Sequence, residues 1–276
     1  MLKIEFTNEQ IQEMIKLYEE DNLSLNKIAN KFNVSRGVIS RVFKENADKV
    51  TIRQRTHKYK ADYNKFENID SAEKAYWLGF LAADGCVYTR ENNASIIINI
   101  HNKDKEHLEK FKKFMNSNAE IIEHIQNDGF SNNTPMVKFV LNSKKMAQDL
   151  IDKGVVQRKS LILNKPKINE EFYLPYILGY FDGDGALYQS KTNKEFYFSL
   201  QGTKEILEWI LKTLNITLKL EKRVNDNKNS YYIRCGGFNK PYNLLNKLYN
   251  SVNVHLDRKF EIYQALETVV LNGNIK

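Results

Sequence analysis

The chain repeats itself. Residues 76–85 read YWLGFLAADG and residues 176–185 read YILGYFDGDG. Gly79 and Gly179, Asp84 and Asp184, and Gly85 and Gly185 therefore stand one hundred positions apart. A fixed period means that one supersecondary unit is built twice. The order downstream agrees. Strand-like segments at 94–101 and 195–201 are each followed by an amphipathic helix, at 104–115 with Leu108, Phe111 and Phe114, and at 204–214 with Ile206, Leu207, Ile210 and Leu211. Second hairpin regions fall at 120–141 and 217–235, and a further helix is expected to end at Arg158-Lys159 or Arg258-Lys259. His101 and Gln201 are also one hundred apart. Each unit reads as helix–β–β–helix–β–β–helix, the second a diverged copy of the first.

A glycine inside a helix costs about 1 kcal/mol against alanine. Two at matched places imply a close approach of backbones, most economically one motif helix against the other about a pseudo-twofold axis. That packing sets Asp84 beside Asp184 at the two helix C-termini. Carboxylates about 4 Å apart repel by roughly 4 kcal/mol at an effective dielectric of 20, and a helix C-terminus adds negative potential. A shared proton or a divalent cation relieves this, and hard oxygen ligands favour Mg²⁺ over zinc. Asp-Gly after one apolar helix is an ordinary C-cap; the duplication points to a paired site.

The length suits two or three compact units. Of the formal charge of +8, all is accounted for between positions 22 and 65, where eleven bases oppose three acids. Such a surplus permits a polyanionic partner. Thr7 with Gln10 forms a capping-box pattern ahead of Ile11, Met14, Ile15 and Tyr18. Ser24 is expected to cap a second helix carrying Leu25, Ile28, Ala29 and Phe32. After a turn at Asn33-Val34, Ser35 is expected to cap a third helix with Val38, Ile39 and Val42. The stretch LSLNKIANKFNVSRGVISRVFKE resembles a helix-turn-helix of the resolvase or sigma-factor type. That resemblance implies a final helix in the major groove, with Ser35, Arg36, Gly37, Ser40 and Arg41 outward. Residues 47–71 read as a basic linker in which Arg53, Arg55, Lys58 and Lys60 track phosphates. The opening MLKIEFTNEQ has no signal-peptide run, and no apolar stretch approaches the length a membrane helix needs. Two cysteines build no disulfide framework, so a cytoplasmic, organellar or nucleoid setting is expected.

WLGFLAADG and ILGYFDGDG resemble the paired motifs of the LAGLIDADG homing endonucleases in their single-chain, two-motif form, over residues 72–276. The resemblance implies an α+β fold: two pseudo-symmetric α/β/β/α/β/β/α units, 72–165 and 166–276, forming a DNA-binding saddle, with a small all-α helix-turn-helix at 1–46. It implies a monomer acting as a pseudo-dimer on double-stranded DNA, no membrane, and Mg²⁺ as cofactor. Asp84 and Asp184 then bind the metals, joined by the carbonyls of Ala83 and Gly183. Lys159 and Lys259, each seventy-five residues after its own aspartate, match the family's basic residue near the scissile phosphate. His101 and Gln201 match a polar position that orders solvent. The implied reaction is staggered hydrolysis of both strands with short 3′ overhangs in a long, non-palindromic site. Tyr88, Arg90, Asn93, Tyr188, Lys191, Lys194, Arg223, Tyr232 and Arg234 are the expected base or phosphate readers. One departure is Ala82 where the second motif has Asp182. The flanking residues of an intein are absent from this sequence, so a free-standing or intron-encoded enzyme is expected. Two other readings stay open: a DNA-binding regulator on a retired nuclease fold, and an RNA maturase assisting intron splicing.

Overall fold

A computed structural model describes residues 4–21, 23–50, 58–91, 93–128, 131–157, 159–223 and 229–273. Arg53, Arg55 and Arg158 lie outside the described residues. Two units, 1–56 and 57–276, are each compact. In the first, α1 (Asn8–Glu19) opens with the expected reciprocal cap: Thr7 Oγ1 accepts from the Gln10 amide and Gln10 Oε1 from that of Thr7. Ser24 caps α2 (Leu25–Lys31) through the Lys27 amide. Asn33 takes a left-handed turn (φ 52°), and α3 (Arg36–Glu45) follows. Ser35 sits at its N-cap position but makes no side-chain cap bond, contrary to expectation. Met14, Ile15, Leu17, Ile28, Ala29, Ile39, Val42 and Phe43 form the core. Arg36, Gly37 and Ser40 are exposed. Arg41 is turned inward, its Nη2 donating to the Ile4 carbonyl at 3.0 Å.

The second unit begins before its first helix. Residues 58–71, expected as linker, are folded onto it: the Lys60 amide donates to Asn118 Oδ1, the Asn118 amide donates to the Lys60 carbonyl, and Phe66 is fully buried. Tyr59, Tyr63, Phe66 and Ile69 anchor this segment; they recur at helix-like intervals of four, three and three, yet the stretch forms turns and irregular chain rather than a helix. Then come α4 (Ala72–Ala83), β1 (Gly85–Arg90), β2 (Asn93–His101), α5 (Lys105–Phe114), β3 (Ile122–Asp128), β4 (Ser131–Asn142) and α6 (Lys144–Asp152). The order recurs as α7 (Tyr173–Asp184), β5 (Gly185–Gln189), β6 (Phe196–Gly202), α8 (Lys204–Leu214), β7 (Glu221–Lys222), β8 (Tyr231–Gly237) and α9 (Asn239–Tyr249), followed by α10 (Asp257–Leu271). The fold is α+β, with two four-stranded antiparallel sheets ordered β1-β2-β4-β3 and β5-β6-β8-β7 and ten α-helices among the described residues. Ala94, Ile96, Ile98 and Ile100, like Phe196, Phe198 and Leu200, point into the core, while alternate residues face the open side. None of the described helices is long and apolar enough to cross a membrane.

The motif helices α4 and α7 are buried nearly all round because they pack on each other as well as on their sheets. A Cβ on Gly79 would stand 2.0 Å from the Tyr176 carbonyl oxygen, and one on Gly179 would stand 1.9 Å from that of Tyr76. The contact is reciprocal, so neither helix can yield without moving the other. Lys159 and Lys259 do not end helices as expected. Lys159 starts a 3-10 turn, Lys159–Leu161, and Lys259 lies in the first turn of α10.

Gly79→Ala is expected to destabilise the 57–276 unit by more than about 3 kcal/mol, because the obstruction is backbone. Gly37→Ala, where the nearest atom would be 3.7 Å away, serves as the tolerated control. Urea unfolding of the two variants checks both; equal midpoints would contradict the close crossing.

Candidate active site

Asp84 is the C-cap residue of α4 and Asp184 the last residue of α7. The two helix ends meet. A Cβ on Gly183 would lie 2.2 Å from that of Ala83 and 3.3 Å from Asp84 Oδ2, so the Asp84 carboxylate rests where a larger residue would evict it. Burial, then the neighbouring Asp184 charge, pushes the Asp84 carboxyl up to about 6, against the pull of Lys259 and Lys159. Asp184 is the more open acid, exposed where Asp84 is half-buried. Its carboxyl is also raised by burial, opposed by Lys159, the Tyr180 hydroxyl and Lys259.

Lys159 donates to the Ala83 carbonyl at 2.7 Å. With Asp184, Gln201, Tyr180 and Ser230 it lines a cavity of about 150 Å³. Tyr180 donates to the Gln201 carbonyl at 3.0 Å, and Gln201 Nε2 reaches Ser230 Oγ at 3.5 Å. These residues converge. Lys259 behaves differently. Its side chain is fully buried, and Nζ donates to the carbonyls of Phe181 (2.6 Å), Asp182 (2.9 Å) and Gly185 (2.6 Å). An ammonium has three donors, so the expected contact with a scissile phosphate is corrected: Lys259 is consumed in tying off the end of α7.

His101 also departs from expectation. Gly85 pairs with Ile98 but Gly185 pairs with Leu200, because the connection between β5 and β6 is longer than that between β1 and β2. The period of one hundred thus fails across this hairpin. The residue that matches Gln201, one beyond the partner of the motif glycine, is Asn99. His101 instead uses Nδ1 to accept from the Lys103 amide at 3.1 Å. Asn99 Nδ2 donates to Gln126 at 3.2 Å, and its buried Oδ1 has no partner among the described residues. Only strand register reveals Asn99. Asp182 was visible as a departure from the repeat, and its setting is tertiary: buried, it accepts from the Tyr76 hydroxyl at 2.7 Å and the Leu256 amide at 2.8 Å.

The expected readers lie on or beside the open sheet faces. Arg90 stacks on Tyr88, with Nε donating to its hydroxyl at 2.5 Å. Tyr188 stacks on Tyr197, a residue the sequence did not single out. Arg234 is held by Glu221 through Nε (3.2 Å) and Nη2 (3.4 Å) and leans over Tyr232. Lys191 and Lys194 belong to the connection between β5 and β6, Asn93 opens β2, and Arg223 follows β7. Lys58 covers the Tyr59 ring rather than standing free, and Lys60 is fixed through its backbone.

The acid pair fits a hard divalent cation. Two carboxylates crowded until one favours its proton gain most from a cation that replaces it. No cluster of three His, Cys, Asp or Glu exists among the described residues, so the remaining ligands would be carbonyl, water or phosphate oxygens, as Mg²⁺ accepts. The Ala83 carbonyl already takes one bond from Lys159, which leaves it one lone pair for such a role.

Residues 71–153 match the model of the LAGLIDADG-like domain. Comparison with curated protein sequences finds no match. Among solved structures, the meganuclease I-SmaMI bound to uncleavable DNA is 14% identical, with 73% of this chain and 91% of that chain covered and a TM-score of 0.49. The I-LtrWI LAGLIDADG homing endonuclease bound to target DNA gives 13%, 74%, 92% and 0.47. I-GzeII, of the same description and in complex with its DNA target, gives 10%, 72%, 91% and 0.49.

A carboxyl raised from 3.8 to about 6 keeps its proton in the folded chain across that interval and loses it on unfolding. Its contribution to stability therefore falls as pH rises through the interval and is level above it. In EDTA at pH 7.5, Asp84→Asn is expected to stabilise the 57–276 unit by about 1–2 kcal/mol after solvent screening, and to remove this pH slope. Calorimetry between pH 4 and 7.5 measures both; a destabilised variant would show that the folded site does not raise the Asp84 carboxyl.

Proposed function

We propose that the chain is a site-specific, divalent-cation-dependent DNA double-strand endonuclease of the LAGLIDADG homing type. The observation that carries this reading is the convergence of Asp84 and Asp184 where α4 and α7 meet. Each aspartate leads directly into the first strand of a sheet with an open face. The match of residues 71–153 to the LAGLIDADG-like domain supports it.

The two sheets form a saddle on the duplex, the single chain standing in for a dimer. Because the open faces differ in sequence, the site they read is non-palindromic. Tyr88 and Arg90 on one sheet and Tyr188, Tyr197, Tyr232 and Arg234 on the other offer stacking surfaces and hydrogen-bond forks. Asp84 and Asp184, with the carbonyls of Ala83 and Gly183, would hold Mg²⁺. Bound there, the ion would supply Lewis acidity and a more acidic water. In each strand a water oxygen forms a bond to phosphorus while the bond from phosphorus to the 3′ oxygen breaks. The water gives up a proton and the leaving oxygen gains one, so the ends are a 5′ phosphate and a 3′ hydroxyl. Lys159 donates to the phosphoryl oxygens as negative charge builds. Gln201, backed by Ser230, orients solvent on that side, and Asn99 holds the matching register position on the other. The N-terminal unit sets α3 on neighbouring DNA through Ser35, Arg36 and Ser40, and tethering raises the affinity of the whole.

A target recovered by selection from random DNA, or made by joining the two flanks of the gene, is cloned into a supercoiled plasmid. Wild type with Mg²⁺ is expected to give linear product. Asp184→Asn is expected to cut at least about a hundredfold more slowly yet to bind the same site in Ca²⁺. Specific binding by wild type with the plasmid left intact would favour the regulator instead. Removal of residues 1–46 is expected to weaken binding and flatten the dependence of log Kd on log salt. An unchanged slope would mean that those helices do not meet phosphates.

A further inference from the structure

The open face of the first sheet breaks the rule that its strands otherwise follow. An antiparallel sheet with one face in the core alternates apolar inward and polar outward. Ile96, Ile98, Val137, Phe139 and Leu141 obey this on the buried side. On the open side, Cys86 pairs with Ile97 and Ile97 with Val140, which sets an apolar row across β1, β2 and β4. Ile122 extends the row on the edge strand β3. Its partner is Lys138, two residues from Val140 on the same face, so Ile122 and Val140 are diagonal neighbours. Ile97 and Val140 are half-buried, Cys86 is exposed and Ile122 is 50% exposed. Polar rows flank the strip. Ser95 Oγ donates to Asn142 Oδ1 at 2.6 Å on one side, and Asn99 stands opposite Lys138 on the other.

β-Branched residues suit strands in general, but the second sheet does not repeat the pattern. Counted by register from the motif glycines, Cys86, Ile97 and Val140 match Ala186, Ser199 and Arg234. Ile122 matches Glu221, which holds the Arg234 guanidinium. Strand propensity acts on both sheets alike, so the aliphatic strip belongs to this face for another reason. Aliphatic side chains shown to water are a liability, most of all at a sheet edge. What covers them must also suit the surroundings. Residues 86–90, 95–101 and 134–142 contain no acid, and Arg90 and Lys138 add bases. Glu123 of β3 turns to Lys105, which donates to it at 2.6 Å. The strip begins two residues beyond Asp84, so a polyanion that reaches the aspartates runs on over it.

We infer that this strip reads the 5-methyl groups of thymine in the major groove, so that the half-site over β1–β4 is rich in thymine. The inference deepens the nuclease reading and rests on it. The methyl of thymine is the apolar group that base edges offer in that groove. Side chains without donors or acceptors match it, whereas over guanine they would leave O6 and N7 unpaired. At the matched place in the other half, Arg234, steadied by Glu221, takes a guanine through those two atoms. Ile97 and Val140 on one sheet and Arg234 on the other are thus specificity-determining residues that read by opposite chemistry.

The test is binding by the full chain, in Ca²⁺, to a target selected from random DNA. Uracil in place of thymine removes the methyl and keeps every hydrogen-bonding group. In one half of the target, each such replacement is expected to weaken binding about fourfold, the cost of losing one methyl contact. In the other half it should change nothing. Ile97→Ala combined with Val140→Ala should weaken binding to the thymine target by about tenfold. It should leave the slope of log Kd against log salt unchanged, because no charge is lost, and should bind thymine and uracil targets alike. Arg234→Gln should lose guanine at one position of the opposite half when the selection is repeated, and should keep the uracil effect. Wild type that binds its target yet is indifferent to uracil in both halves would overturn the inference and leave the nuclease reading standing. Sedimentation of the protein alone covers another occupant: a dimer that Ile122→Asn dissociates would give the strip to a second copy and overturn it too. If selection recovers no DNA and the plasmid stays intact, the nuclease reading falls and this inference falls with it.

Discussion

Two glycines held against two carbonyl oxygens govern this architecture. Gly79 lies over the Tyr176 carbonyl and Gly179 over that of Tyr76, at distances that exclude any Cβ. Dispersion and apolar burial reward such a contact only if both helices are smooth at the same height. The two motif helices are apolar on almost every side because each is covered twice, by its own sheet and by the other helix. Everything downstream inherits this crossing: where the helices end, where the sheets begin, and which side chains share the seam.

The crossing also creates the electrostatic problem that gives the site its chemistry. Two acids are delivered to one place by apolar packing that is indifferent to their charge. Burial and mutual repulsion raise the Asp84 carboxyl to about 6, and two buried or half-buried ammonium groups only partly relieve it. In the nuclease reading, a site held in that condition would gain from a hard cation at neutral pH and would lose it in acid as the carboxyls take up protons. Packing energy spread over the whole interface thus sustains a local arrangement that would not assemble by itself.

Symmetry in the backbone does not extend to the side chains. One half presents Lys159 in a cavity; the other seals Lys259, in the first turn of α10, against the end of α7. Asp182 is the pivot of this difference, because a buried carboxylate needs donors and it draws them from Tyr76 and from the Leu256 amide. A duplicated fold with one changed motif residue can therefore keep its shape while its two halves diverge in chemistry.

Much was legible in the order of residues alone. The repeat gave two units, the paired glycines gave the helix crossing, and Thr7 with Gln10 and Ser24 gave two helix starts. Asp84 and Asp184 stand out as a pair because the motif is repeated, and the helix starts are legible because caps and periodicity are written within about ten neighbouring residues. Tertiary structure alone decided the rest. Residues 58–71 became part of the second unit through burial of Phe66 and Ile69. Asn99 replaced His101 opposite Gln201 because strands choose register by which face they bury, not by counting residues. Lys259 turned inward because its acceptors lie up to seventy-eight positions away, and no local pattern records which distant carbonyls will need a proton.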